Sequence, residues 1–246
     1  MHVCVDGYSR LIIYVHCANN NRAETVFNQF LQGISEYGVP SRVRSDHGLE
    51  NVGVARYMLE NRGSNRGSML TGSSVHNCRV ERAHRDVYAG VLSFFAKIFG
   101  ELEDDGLLDP LNEIQLYALH LIYIPRINKC LEEFKKQWMH HGLSTENGLS
   151  PIQLYTMGVL SNANSDHTAI TSILQNDLPY YGVDIDGPFP SDTDYQISIP
   201  ESAGIELSGE QQQFLNSQCN TQGDNGDNGK VEYIRCVDIL QIMCPQ

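Results

Sequence analysis

Three carboxylates far apart in the chain, Asp6, Asp46 and Glu81, stand in settings that could bring them to one edge of a folded sheet. Asp6 ends the apolar run His2-Val3-Cys4-Val5 and precedes the turn Gly7-Tyr8-Ser9-Arg10. Asp46 ends a second short run, Ser41-Arg42-Val43-Arg44-Ser45, just ahead of His47-Gly48. Glu81 lies near the start of an amphipathic stretch, residues 76–99. Two carboxylates at strand ends and one on a helix make a hard-oxygen cage suited to Mg²⁺ or Mn²⁺. Such a cage is equipment for cutting and joining phosphodiester bonds. A lone Asp at a strand end is more often a turn residue than a ligand.

The elements that must position these acids are legible from periodicity. Val3–Asp6 and Leu11–Ala18 are β-branched and aromatic runs around a short Gly-containing turn, which predicts a hairpin. Residues 20–37 place Ala23, Val26, Phe27, Phe30, Leu31 and Ile34 on one helical face, with Asn19 to Asn21 as caps and Gly38 as a stop. A strand over Arg42–Ser45, a helix over Asn51–Arg62 and a strand over Gly67–Leu70 follow. The segment His76–Phe99 reads as a helix with Val80, Val87, Val91, Phe94, Phe95 and Ile98 inward, broken by the acidic residues 101–105. Two more helices are expected over Asp109–Lys129 and Leu131–His140. Periodicity alone gives an α/β class.

Three motifs then carry a resemblance. Val5-Asp6-Gly7-Tyr8-Ser9-Arg10, Arg44-Ser45-Asp46-His47-Gly48-Leu49-Glu50-Asn51 and His76-Asn77-Cys78-Arg79-Val80-Glu81-Arg82 resemble the DDE motifs of the integrase core domain family. That family includes the catalytic domains of retroviral integrases, of insertion-sequence transposases and of Ginger-like elements in animal genomes. Trp138 and the segment from Leu143-Ser144-Thr145-Glu146 to Leu154 share the likeness, which covers about residues 2–158. Three acids inside three family motifs in the right order reverse the odds that each is only a turn residue. The resemblance implies an RNase H-like fold with a mixed sheet flanked by helices. It also implies that two Mg²⁺ or Mn²⁺ ions are held by Asp6 as bridge with Asp46 and Glu81. DNA is the implied partner, in a nuclear or cytoplasmic setting, with a homo-oligomer and a separate DNA-binding partner as further expectations.

Charge distribution bears on that partner. The net charge is −13, yet residues 1–100 hold 11 Lys and Arg against 8 Asp and Glu, while residues 161–246 hold 2 against 13. The motif-bearing part is mildly basic and the remainder is an acidic extension, residues 159–246, after a core of residues 1–158. This is far from the basic stripe of a stand-alone DNA binder. Arg79, Arg82 and Arg85 crowd the first turns of a helix, where positive charge opposes the dipole, which favours phosphate contact over a merely solvated face. Arg10 is a lesser phosphate candidate, and Asn77 combines a helix-cap reading with a place beside the DNA.

The remaining features are blander. Seven cysteines at scattered positions form no CxxC pair and read as reduced thiols. No run of eighteen apolar residues is present, so no membrane span is expected, and the opening Met1-His2-Val3 has no secretory leader pattern. Glu50 reads as a helix cap or ion-pair partner, Trp138 as a packing residue, and His140-His141 as surface. His84 stands where relatives often carry tryptophan. Residues 178–200 are rich in Pro and Gly, Thr221–Lys230 reads as a flexible loop, and Val231–Met243 is a strand or a short helix. The helix-turn-helix, zinc and basic modules of active transposases are not recognisable in this stretch. Two readings follow: a truncated or host-recruited core that retains nuclease or strand-transfer chemistry, or an inactive integrase-fold interaction module.

Overall fold

The computed structural model describes residues 1–46, 48–63, 67–72, 78–162, 204–223 and 226–244. The first strand, β1 (His2–Val5), pairs antiparallel with β2 (Ile12–His16), from His2 opposite His16 to Val5 opposite Ile12. A bulge between Cys4 and Val5 leaves Ile13 outside the register, a device that re-aims a strand. Helix α1 (Ala23–Tyr37) starts at Arg22 without a side-chain cap, so the three asparagines do not serve as its cap. It stops at Gly38, whose φ of 83° suits glycine. Gly33 lets α1 sit on the hairpin, because a Cβ there would meet the Ile13 side chain at 2.8 Å.

Strand β3 (Val43–Ser45) runs parallel to β4 (Met69–Thr71), joined through a 3₁₀ turn, Leu49–Asn51, and helix α2 (Val52–Arg62). Val26 and Phe30 of α1 meet Val54 and Met58 of α2 in a buried cluster covered by Tyr14, Val43, Tyr57 and Met69. Arg62 donates to the carbonyls of Val39 and Pro40, tying the end of α2 to the loop that enters β3. The described residues thus form two two-stranded ladders, β1–β2 and β3–β4, in a mixed α/β chain that is mostly helical. One mixed sheet was the sequence expectation; among the described residues the strands, three to five residues long, form no ladder between β1 and β3.

Helix α3 (Cys78–Val87) leads through a π-helical turn, Tyr88–Leu92, into α4 (Ser93–Asp104). Helix α4 ends inside the acidic run 101–105, a few residues beyond the expected limit at Phe99. Glu101 is held by Lys230 at 2.6 Å and Lys97 at 3.9 Å and Leu102 is fully buried, so the helix runs to Asp104 before the turn at Gly106, φ 70°. Helix α5 (Glu113–His140) is one element where two were expected. Asn112 caps it through the Gln115 amide, and buried Ile122, Tyr123, Ile127 and Leu131 continue one face past Pro125. A proline removes one helical hydrogen bond, and burial on both sides of it carries the helix through. Helix α6 (Pro151–Asn162) follows.

Helix α7 (Gly209–Gln218) begins with a capping box between Ser208 and Gln211. The Val231–Met243 ambiguity resolves as helix α8 (Lys230–Met243), with Tyr233, Cys236, Val237 and Leu240 buried at helical spacing. Before it, Asp227 accepts the amides of Gly229 and Val231, and Arg126 donates to the Asn220 and Gly223 carbonyls. These bonds engage the described parts of the Thr221–Lys230 segment. The Pro- and Gly-rich residues 178–200 lie outside the described residues.

By contacts the chain divides into two compact units. One comprises residues 1–16, 21–86 and 133–197; the other comprises residues 17–20, 87–132 and 198–246. All three candidate acids fall in the first. No helix among the described residues is long and apolar enough to cross a membrane.

Candidate functional site

The residue after β1, Asp6, is built into the hairpin turn. Its amide donates to Leu11 O at 2.8 Å and its carbonyl accepts from Arg10 N at 3.0 Å. Its Oδ2 accepts the Tyr8 amide at 3.2 Å, the Ser9 amide at 2.7 Å and the Ser9 hydroxyl at 2.6 Å. Ser9 is fully buried, and its Oγ in turn accepts the Leu11 amide at 3.2 Å. The Asp6 charge reaches its neighbours: burial, then Asp6, pushes the Cys4 thiol up to about 12 and raises the Tyr155 phenol.

Asp46 follows β3 on the surface. Its Oδ1 accepts the Asn51 amide group at 3.1 Å and the Gly48 amide at 3.4 Å. Glu81 sits half-buried on the first turn of α3. Burial raises its carboxyl above the usual range, the Asp46 charge raises it further, and Arg85 one turn along partly offsets both. Two acids separated by a helix and a strand therefore lie within each other's field. A like-charge pair of this kind is relieved by a shared cation. Glu50 curls back over its own turn, since a Cβ on Gly48 would stand 2.1 Å from its carboxylate oxygen.

Among the described residues, no three His, Cys, Asp or Glu side chains gather closely enough to hold a metal ion. The donor chemistry of Asp46 and Glu81 fits a hard divalent cation, and Asp6 does not join them in a three-ligand group. Of the phosphate candidates, Arg82 and Arg85 are exposed and Arg79 is half-buried, with Ala83 and Val87 turned inward. Arg82 faces Asp86 at 4.0 Å, an exposed pair of little strength. Asn77 and His47 lie outside the described residues.

Arg10 is engaged within the chain. Its guanidinium donates to Thr145 Oγ1 at 2.6 Å and pairs with Glu146 at 3.0 Å, while its carbonyl accepts from Trp138 Nε1 at 2.9 Å. Those contacts tie Trp138, Thr145 and Glu146 to the turn that carries Asp6. Sequence reading treated Trp138 as packing, and it does stack with Phe134 and His141. The one available signal for its second role was that likeness.

His84 was noted only as a substitution. Burial, then the chain amino group and His2, lower its pKa from 6.5 to about 4, with Asp46 opposing. A neutral folded imidazole contributes stability above its unfolded pKa that is lost as pH falls toward the folded one. Melting temperature should therefore decline between about pH 6.5 and pH 4, and His84→Leu should flatten that part of the profile. Equal slopes in the two proteins would show that His84 titrates normally.

A family model described as Integrase core domain matches residues 1–169, spanning all three acid motifs, the Arg10 contacts and α6. No curated protein and no solved structure matches the chain. With more than half of its length covered, the chain belongs to the integrase core domain family.

Proposed function

We propose that this chain is an integrase- or transposase-type catalytic core for metal-dependent cleavage and strand transfer of DNA, built on an RNase H-like fold. Family membership supports DNA integration chemistry in general terms. The observation that carries the finer reading is the mutual field of Asp46 and Glu81 at the end of β3 and the start of α3. Asp6, whose Oδ1 takes no part in the Tyr8 and Ser9 hydrogen bonds, would complete the donor set. Two Mg²⁺ or Mn²⁺ ions, when bound, supply activation of the attacking oxygen and stabilisation of the leaving oxygen. The chain's own part is to orient the three carboxylates toward the metal ions and to seat the phosphate backbone on Arg79, Arg82 and Arg85. Divalent-metal-dependent nicking of duplex DNA by wild type, and its absence in Asp46→Asn, tests the assignment.

Replacing both Arg82 and Arg85 by alanine should weaken DNA binding and lower the salt-dependence slope by about 2, near one unit per lost phosphate contact. Fluorescence anisotropy with a short duplex at several salt concentrations reads this directly. An unchanged slope would remove these arginines from the interface.

A second reading, a domesticated interaction module without catalysis, draws on one observation. Asp6 Oδ2 is saturated by its own turn and no three-ligand group forms among the described residues. Calorimetry with Mg²⁺ and a short duplex separates the two, because metal-dependent DNA binding belongs to the catalytic reading.

A further inference from the structure

We propose that Glu146, acting with Thr145 through Arg10, is a positioning residue that sets the Asp6 carboxylate for the chemistry above; the inference rests on that reading for its consequence but not for its geometry. Arg10 is held at φ 64°, a left-handed conformation that a branched-chain or long side chain rarely adopts. Three contacts from one later stretch of chain hold it there: Thr145 and Glu146 on the guanidinium, Trp138 on the carbonyl. The Arg10 amide donates to the Asp6 carbonyl, and the Asp6 amide pairs with Leu11. Asp6 Oδ2 is then pinned by the Tyr8 and Ser9 amides inside the same turn.

The holding loop is itself rigid. Leu143 N donates to Leu149 O, Gly148 N donates to Leu143 O, and Asn147 and Gly148 take φ of 56° and 81°. Gly142 lies so close to Gly148 that a Cβ would stand 2.8 Å from its carbonyl oxygen. On the other side of the turn, Tyr8 rests on Gly158 of α6, where a Cβ would come within 3.1 Å of its ring. The turn carrying Asp6 is thus gripped from both sides by residues 138–158. A conformation that its own sequence disfavours persists only where surroundings over-determine it. Second contacts of this kind orient metal-binding carboxylates. The Arg10–Glu146 pair is about one-third exposed, 28% and 35%, so its direct worth to stability is small. Its effect should appear in the site rather than in melting.

The experiment uses the full chain and four proteins: wild type, Glu146→Ala, Glu146→Gln and Arg10→Gly. The first readout is hydrogen exchange at the Ser9 amide, which is bonded to Asp6 Oδ2. Glu146→Ala should speed it about tenfold, with Glu146→Gln intermediate because the shape and one acceptor remain. Arg10→Gly should match Glu146→Ala without a lower melting temperature, since glycine accepts φ 64° freely. Combining Glu146→Ala with Arg10→Gly should add nothing to either alone, as expected of one coupled device. The second readout is Mn²⁺ affinity by calorimetry, expected to weaken about tenfold in Glu146→Ala. Unchanged Ser9 exchange in Glu146→Ala, or additive effects in the double variant, would overturn the proposal. Faster exchange beside an unaltered Mn²⁺ affinity would overturn it too, leaving only a local brace. If wild type takes up no Mn²⁺, the catalytic reading fails instead, and the exchange result alone decides the clamp.

Discussion

Asp46→Asn should lower Mn²⁺-dependent DNA cleavage by about a thousandfold, or about 4 kcal/mol of transition-state stabilisation, while leaving the fold slightly more stable at neutral pH. Under the proposed function, the loss follows from removing one anionic donor from a pair that would share a cation. The gain follows from Glu81. Its folded pKa is raised by burial and by the Asp46 charge, so its contribution to stability is present at low pH and lost as pH rises through that pKa. At neutral pH the two charges oppose folding, and neutralising Asp46 relieves part of that opposition. Asparagine keeps the oxygen that accepts the Asn51 and Gly48 donors, so the turn after β3 remains intact. An Asp46 serving only as a turn residue predicts the reverse pattern: unchanged or reduced stability and no change in cleavage. Thermal melting at pH 7, nicking of a duplex in Mn²⁺, and the titration of the Glu81 carboxyl by NMR complete the comparison. The Glu81 midpoint should fall in the variant yet stay above the usual range, because burial, the larger cause, is untouched.

Local pattern made much of this fold readable. The hairpin, α1 with its Gly38 stop, and the strand–helix–strand from Val43 to Thr71 were written in alternation, 3.6-residue spacing and glycine punctuation. Errors arose where tertiary burial overrode local chemistry. Two helices were expected over Asp109–Lys129 and Leu131–His140, and the buried Ile122–Leu131 face keeps α5 whole. The acids at 101–105 argued for an end, and α4 does end among them at Asp104, a few residues past Phe99 because Lys97, Lys230 and the buried Leu102 hold its last turn. Beyond the hairpin, sheet assembly was not legible, because which short strands pair depends on long-range contact. For the site, spacing and likeness singled out Asp46 and Glu81, whose fields do overlap. They could not reveal that Asp6 would saturate one oxygen within its own turn. Nor could they reveal that Arg10 would turn away toward Thr145 and Glu146. A side chain's partner 135 residues away leaves no local trace.

The second unit offers the largest expected change in stability, at Tyr123. Its ring is 1% exposed and meets Phe99 edge-on at 5.0 Å, Phe95 at 6.4 Å and Tyr233 at 6.3 Å. Tyr233 anchors α8 here by donating its hydroxyl to Leu107 O at 3.0 Å. Tyr123→Ala should destabilise the chain by about 3–5 kcal/mol, the range for emptying an aromatic-sized volume in a packed interior. The hydroxyl behaves oppositely to the ring. It is buried without a hydrogen-bond partner, and burial pushes the phenol up to about 12. A buried donor left unpaired carries its full desolvation penalty, so Tyr123→Phe should stabilise by about 1–3 kcal/mol. Urea unfolding followed by far-ultraviolet circular dichroism measures both. Opposite signs for the two substitutions would establish that α8 and α4–α5 are held through the apolar body of Tyr123. A destabilised Tyr123→Phe would mean instead that the hydroxyl has a bonding partner in solution, and that polar contact rather than ring packing organises this core.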